Sequence, residues 1–270
     1  MIILAIGDVV GRPGRRAVRE CVPDLRKEYG LDLVIANGEN AAGGFGITID
    51  IANQMFQSGA DVITTGNHAW DQREIIGHID YETRLLRPEN FPPGTPGRGH
   101  GVFLDRKRRP ILVVNLMGRL FMDALDDPFA AAHRLLEAHR LGQEVDAAVI
   151  DFHGEASSEK MAMGVFADGR ASAVVGTHWH IPTADAQVLP GGTAYQTDLG
   201  MCGDYDSVIG MAKSTAVDRF VRKMPTIRLE PAQGEATVCG VFIETDDKSG
   251  LAKRIAPLRV GGRLAPNWPL

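Results

Sequence analysis

Ile2-Ile3-Leu4-Ala5-Ile6-Gly7-Asp8 opens the chain with five apolar residues that stop at a glycine and a carboxylate. A short apolar run without alternation marks a strand buried on both faces. The next segment, Arg12–Glu28, has helical spacing, and Pro13 sits where an early helical position tolerates a missing N–H. The same strand-then-helix unit returns twice. Leu33–Ala36 ends at Asn37-Gly38-Glu39-Asn40, a loop Gly43-Gly44-Phe45-Gly46 follows, and a helix is predicted over Asp50–Gln57. Val62–Thr65 ends at Gly66-Asn67-His68, ahead of a predicted helix at Arg73–His78. Strands alternating with helices predict a parallel α/β sheet.

Outward from these units the pattern loosens. Pro88–Gly101 carries four prolines and four glycines and reads as a surface loop. Ile111–Leu116 and Ala147–Phe152 read as buried strands, with a helix at Pro128–Leu141 between them. Ala171–Gly176 is another strand, ending at Thr177-His178-Trp179-His180. The last third predicts strands at Thr183–Leu189, Thr193–Asp198, Thr226–Glu230 and Thr237–Glu244, interrupted by a helix at Asp206–Arg222. No repeat or linker divides the chain, so one domain over residues 1–270 is expected, with two sheets face to face and helices outside.

Composition bounds the function. The chain has 270 residues, 44% hydrophobic and 23% charged. That length buries roughly 70–75% of the unfolded surface without help from a disulfide or structural metal. A net charge of −5 argues against a partner such as duplex nucleic acid or an anionic membrane, both of which favour clustered Lys and Arg. Cys21, Cys202 and Cys239 are scattered and lack Cys-x-x-Cys spacing, as expected of buried thiols in a reducing compartment. The N-terminal apolar run is too short for a secretory segment and far below the ~20 residues of a membrane span. A cytoplasmic location is expected, and the oligomeric state, including a homo-oligomer, is left open.

The chemistry-bearing residues all follow predicted strands: Asp8, Glu39-Asn40, Asn67-His68, His153 and His178-x-His180. In open α/β sheets, the carboxyl ends of strands converge on one crevice. Taken singly, each has an ordinary structural explanation: a helix N-cap for Asp8, a loop charge for Glu39, a left-handed turn for Asn67, a hydrogen-bonded core imidazole for His153. His178 and His180, two apart, meet on one side only where the backbone turns. Together they form an oxygen- and imidazole-rich set without thiolates, the donor chemistry that Zn, Mn or Fe accepts.

These residues resemble, in order and spacing, the metallophosphoesterase signature: Gly7-Asp8, Gly38-Glu39-Asn40, Gly66-Asn67-His68, His153 and Gly176-Thr177-His178-Trp179-His180. More narrowly, the chain is similar to the YmdB-type branch of bacterial phosphodiesterases. The similarity extends through Thr197-Asp198-Leu199-Gly200-Met201-Cys202-Gly203-Asp204 to about Pro257. The resemblance implies a four-layer α/β/β/α sandwich, a two-metal centre and hydrolysis of cyclic nucleotides. It also implies two divalent or mixed-valence ions, with iron or manganese ahead of zinc. One would be held by Asp8, Glu39, Asn40 and His180, the other by Glu39, Asn67, His153 and His178, with Glu39 as the bridge. Two departures from the wider family stand out. Val10 replaces the histidine of Asp-x-His, and Glu39-Asn40 stands where an aspartate is usual, so Asn40 is expected to supply an oxygen to the first ion.

Paired ions activate a shared water and stabilise developing negative charge. His68, beside Asn67, is the expected general acid, and Asp71 either orients its ring or caps a helix. The expected substrate is a small phosphodiester, a cyclic nucleotide, with the 2′,3′ ester preferred for its ring strain. Competing readings are a phosphomonoesterase, a non-catalytic nucleotide-binding regulator, and a dinucleotide-binding module. The last rests on Gly7-x-x-x-Gly11-x-x-Gly14, whose spacing departs from the fingerprint and whose Asp8 would repel a pyrophosphate.

Overall fold

The computed structural model describes residues 1–223 and 228–269. One sheet has eight strands. Its path runs β2 (Asp8–Val9), β12 (Met201–Asp204), β13 (Ala236–Thr245), β1 (Ile2–Ile6), β3 (Leu33–Asn37), β4 (Val62–Thr64) and β5 (Leu85–Leu86), and β14 (Ala252–Val260) pairs with β13. The other has six strands in the order β10 (Gln187–Val188), β11 (Ala194–Gln196), β9 (Ala173–Thr177), β8 (Ala147–His153), β7 (Pro110–Met117) and β6 (His100–Leu104). Strands β1, β3, β4 and β5 run parallel, as do β7, β8 and β9. The carboxyl ends of both parallel sets therefore carry the loops that build the site.

Alternation along each strand sets the layers. In β1, Ile3 and Ala5 join Leu33, Ile35 and Val62 against Val113, Val149 and Val175 of the second sheet. Leu4 and Ile6 point the other way, onto Val18, Val22 and Leu25 of α1 (Gly11–Tyr29) and Met55 of α2 (Ile49–Gln57). On the far side, Leu112, Ile150 and Phe152 pack on Leu135 and Leu136 of α3 (Pro128–Ala138) and Met163 of α4 (Ser157–Ala167). The result is the four-layer α/β/β/α sandwich. The central strands of each sheet are buried on both faces, which explains continuous apolar runs in place of polar alternation.

Local signals set most element ends. Thr48 caps α2 by accepting from the Ile51 N–H, and Asp127 caps α3 beside Pro128. Several expectations are corrected. The helix expected at Asp206–Arg222 begins only at α5 (Lys213–Arg222). Ile209 is held in a left-handed conformation (φ 47°) and gives its carbonyl to His180, so this stretch cannot continue a helix. Arg73–Gly77 is a short 3-10 helix. Two elements carried no legible period: α4, whose Glu159 and Lys160 are buried against the usual rule, and β14, mostly half-buried and charged at Lys253, Arg254 and Arg259. The strand expected at Thr226–Glu230 lies partly outside the described residues, and 228–230 form no strand. Arg109, at the turn between β6 and β7, pairs with Asp32 and Asp105 at 2.8 and 2.7 Å. Among the described residues, no helix is long and apolar enough to cross a membrane.

Candidate metal centre

Close backbone approach brings the loops together. A Cβ at Gly7 would lie 1.8 Å from the Gly200 carbonyl, and one at Gly66 would lie 2.3 Å from Glu39 Oε2 and 2.4 Å from His153 Nε2. Only glycine fits either position. Asp8 then stands in β2, fully buried, with Oδ2 accepting from the His178 N–H at 3.2 Å. Glu39 and Asn40 follow β3, Asn67 and His68 follow β4, and His153 ends β8. His178 and His180 follow β9, both at positive φ (109° and 66°). That left-handed backbone is how two residues in alternation reach one side.

All the sequence-selected residues meet here. His153 Nε2 lies 3.2 Å from Glu39 Oε1, 2.9 Å from Asn67 Oδ1 and 3.1 Å from His178 Nδ1. Around Asp8, His180 Nε2 stands 3.9 Å from Asp8 Oδ1 and 3.1 Å from Asn40 Nδ2. Asn40 Nδ2 also donates to Glu39 Oε1 at 3.1 Å, joining the two groups. In this orientation the Asn40 amide nitrogen faces inward, and a half turn about its terminal bond would present Oδ1 instead.

Outer contacts choose which imidazole nitrogen faces the centre. Thr177 Oγ1 donates to Asp151 Oδ1 at 2.7 Å and so accepts from His153 Nδ1 at 2.9 Å, which turns His153 Nε2 inward. His180 Nδ1 donates to the Ile209 carbonyl at 2.8 Å, leaving Nε2 for the site. His178 Nε2 meets Glu155 Oε2 at 3.0 Å, leaving Nδ1. Partners of this kind orient metal-binding imidazoles and fix their tautomers.

The electrostatics call for a cation. Asp8 Oδ1 is buried and has no hydrogen-bond partner, a costly condition unless positive charge meets it. Burial pushes the Asp8 carboxyl up to about 7. Burial also opposes charge on Glu39, yet the facing His153 imidazole overrides it and holds that carboxyl down at about 2. Reciprocally, burial disfavours charge on His153, and the Glu39 carboxylate outweighs it, carrying His153 up to about 9. The proton on His153 thus sits among Glu39, Asn67 and His178, where four ligand-type side chains converge. Ligand atoms of Glu39, His153 and His178 all lie within 4.8 Å of one another. This donor set fits a divalent ion of the Zn, Mn or Fe kind.

His68 lies at the rim, its N–H 3.3 Å from Glu39 Oε2 and its Nδ1 2.9 Å from Asp71 Oδ2. The following 3-10 helix is entered through Gln72, so Asp71 orients the ring and caps nothing. Sequence reasoning missed a second layer. Lys160, from α4, is 1% exposed and donates at 2.7 Å both to the Thr177 carbonyl and to Asp198 Oδ2. Asp198 Oδ2 in turn accepts from the Trp179 N–H at 2.9 Å, and Asp198 Oδ1 from Gly200 at 2.9 Å. This buried ion pair clamps the left-handed turn that carries His178 and His180. Its one advance signal was Asp198 in the Thr-Asp-Leu-Gly motif, because a buried lysine leaves no pattern.

Comparisons with known proteins identify the family. A family model described as YmdB-like protein matches residues 4–258. The chain is 49% identical over 255 residues to a 2′,3′-cyclic-nucleotide 2′-phosphodiesterase of Bacillus subtilis (strain 168), covering 94% of this chain and 95% of that protein. A crystal structure of a hypothetical protein from Thermus thermophilus superposes with a TM-score of 0.90 at 44% identity, covering 97% of this chain and all of the other. A phosphatase crystal structure from Mycoplasma pneumoniae gives 0.88 at 31% identity, covering 97% and 93%. Matched nearly end to end by the model and by these relatives, the chain belongs to the YmdB-like protein family.

Proposed function

We propose that this protein is a metal-dependent phosphodiesterase that opens cyclic nucleotides, with 2′,3′-cyclic phosphates preferred. The observation that carries this reading is the convergence of three tautomer-fixed imidazoles, two buried carboxylates and two amides on one cluster whose Asp8 oxygen lacks a partner. The 49% identity to a 2′,3′-cyclic-nucleotide 2′-phosphodiesterase supports it. Asp8, Glu39, Asn40 and His180 would hold one ion; Glu39, Asn67, His153 and His178 would hold the other, with iron or manganese as first candidates. Bound there, the ions would supply Lewis acidity and an activated water.

The chain's own residues do the rest. Thr177, Ile209 and Glu155 hold the three imidazoles in register, and Lys160 with Asp198 holds the turn between them. His68 carries the proton for the departing ribose oxygen, and the Asp71 carboxylate, 2.9 Å from Nδ1, aims Nε2 away from itself. Such transfer is worth about 10²–10⁴-fold. The reading takes residues 1–270 as one catalytic domain acting in the cytoplasm, consistent with three free thiols.

The name of the Mycoplasma pneumoniae relative, a phosphatase, favours phosphomonoester hydrolysis as the second reading. A side-by-side assay with added Mn²⁺ decides between them. Higher kcat/KM on 2′,3′-cyclic nucleotides than on nucleoside monophosphates is expected. Faster phosphate release from monophosphates would replace the phosphodiesterase reading.

A further inference from the structure

Helix α1 starts two residues after β2 and leads away from the site. Its Gly11 N–H donates to the Asn40 carbonyl at 2.9 Å, and an Arg15 guanidinium nitrogen donates to the Ala41 carbonyl. Arg12, Arg15, Arg16 and Arg19 follow the i, i+3, i+4, i+7 spacing of one helical stripe. They line a surface hollow of about 200 Å³ with Gln54 and Ser58, and no carboxylate lines it. None of the four arginines lies within 4.0 Å of an acidic oxygen among the described residues. Arg12, Arg16 and Arg19 are exposed. Burial and the adjacent Arg12 together draw the Arg15 guanidinium below its usual range. Four uncompensated cations side by side in a protein of net charge −5 repel one another, and the arrangement favours an anion that spans them. Beyond Arg19 the stripe passes through Pro23 to Arg26, which is paired with Asp61, so the unpaired track ends about 10 Å from Arg12.

We infer that this stripe binds the backbone phosphates of a single-stranded RNA whose 3′-terminal 2′,3′-cyclic phosphate lies in the metal centre. The inference rests on the phosphodiesterase reading above. A 2′,3′-cyclic phosphate forms when a ribose 2′-oxygen attacks the phosphorus of its own 3′-diester and the next residue's 5′-oxygen leaves with a proton. The group therefore arises at the 3′ end of an RNA fragment, still joined to the upstream chain. Opening it forms one P–O bond from water and breaks one ring P–O bond, and the freed ring oxygen takes a proton from His68. A mononucleotide offers the stripe nothing. An oligonucleotide offers it the preceding phosphates, and Arg is suited to bidentate contact with each of them.

The test measures binding first. A 5′-fluorescein RNA of about ten nucleotides ending in a 3′-phosphate is titrated onto metal-loaded protein, with anisotropy read from about 50 to about 200 mM salt. Three engaged phosphates predict a slope of log K against log salt of about −2. Arg16→Gln with Arg19→Gln should bring it to about −0.7 and weaken binding about tenfold or more. In turnover, the ratio of kcat/KM for the cyclic-phosphate oligonucleotide over the cyclic mononucleotide should exceed ten in the natural protein, by about the same factor, and fall toward one in the double variant. An unchanged slope in the variant, RNA bound no tighter than a 3′-mononucleotide, or preferential binding to phosphatidylglycerol vesicles would each overturn the assignment. Should no cyclic phosphate be opened at all, the phosphodiesterase reading fails, and the anisotropy series still decides whether the stripe holds RNA.

Discussion

His153 and His68 each direct Nδ1 at an oxygen, 2.9 Å away in both cases, yet they are built for different work. His153 is fully buried on the floor of the site, bonded to the neutral hydroxyl of Thr177 and facing Glu39. His68 stands at the rim with 29% of its side chain exposed, and its partner is the Asp71 carboxylate, itself 43% exposed. Burial fixes the protonation and orientation of the first, because any change of charge there must be matched by another ion or proton. Exposure leaves the second within reach of solvent and of a bound ligand, as the proton-donor role proposed for it requires.

The largest effect should come from breaking the floor. Asp8→Ala or His178→Ala is expected to remove most bound metal and reduce hydrolysis to background while far-UV circular dichroism stays native, because neither side chain belongs to the apolar core clusters. Either variant retaining full metal by elemental analysis and near-normal turnover would void the ligand assignment. At the rim, His68→Ala should lower kcat by about 10²–10⁴-fold with metal content unchanged. The loss should shrink for substrates with acidic leaving groups, which need no proton, and an equal loss on both kinds of substrate would remove the proton-donor role.

Beneath the floor, Lys160→Met leaves Asp198 buried and unpaired, which should cost about 3–5 kcal/mol in denaturant unfolding. Metal affinity, read by calorimetry, should weaken about 10–100-fold as the turn carrying His178 and His180 relaxes. Adding Asp198→Asn should recover part of the stability and little of the metal affinity. If the double variant restored both, the ion pair would serve folding alone.

The smallest effect is a pH trend in chelator-treated protein. His153 is raised from 6.5 to about 9 and Asp8 from 3.8 to about 7. Both bind protons more tightly folded than unfolded, so their stabilisation is present at low pH and lost as pH rises. The His153 share persists below 6.5 and disappears through about 9. The melting temperature should therefore fall between those values, and saturating divalent metal should flatten the decline by replacing the proton. A melting temperature that rises over that range in chelator would show that the floor does not hold its proton in this way.

Much of this was legible in one dimension. Glycine after each buried strand, followed by Asp8, Glu39, Asn67 or His178, marked strand ends converging on a crevice, because close backbone approach and polar loops leave composition signals. Buried polar residues left none. Lys160 lies in a helix whose face pattern reads as noise, and nothing in the spacing ties Glu155 to His178, which it meets at 3.0 Å. The helix expected from Asp206 gives way to a left-handed Ile209 whose carbonyl accepts from His180.

The sequence by itself determined the strand–helix alternation, the apolar layers and the identity of the chemistry-bearing side chains, because these follow from local periodicity and residue type. Tertiary structure alone decided which imidazole nitrogen faces inward, that Glu39 and His153 meet as a buried pair, and that Lys160 and Asp198 brace the histidine turn. Each of these depends on burial and on partners distant in the chain, such as Asp198 for Lys160 and Asp151 for Thr177. Hydrogen bonds and desolvation act through space, and no spacing along the chain encodes them.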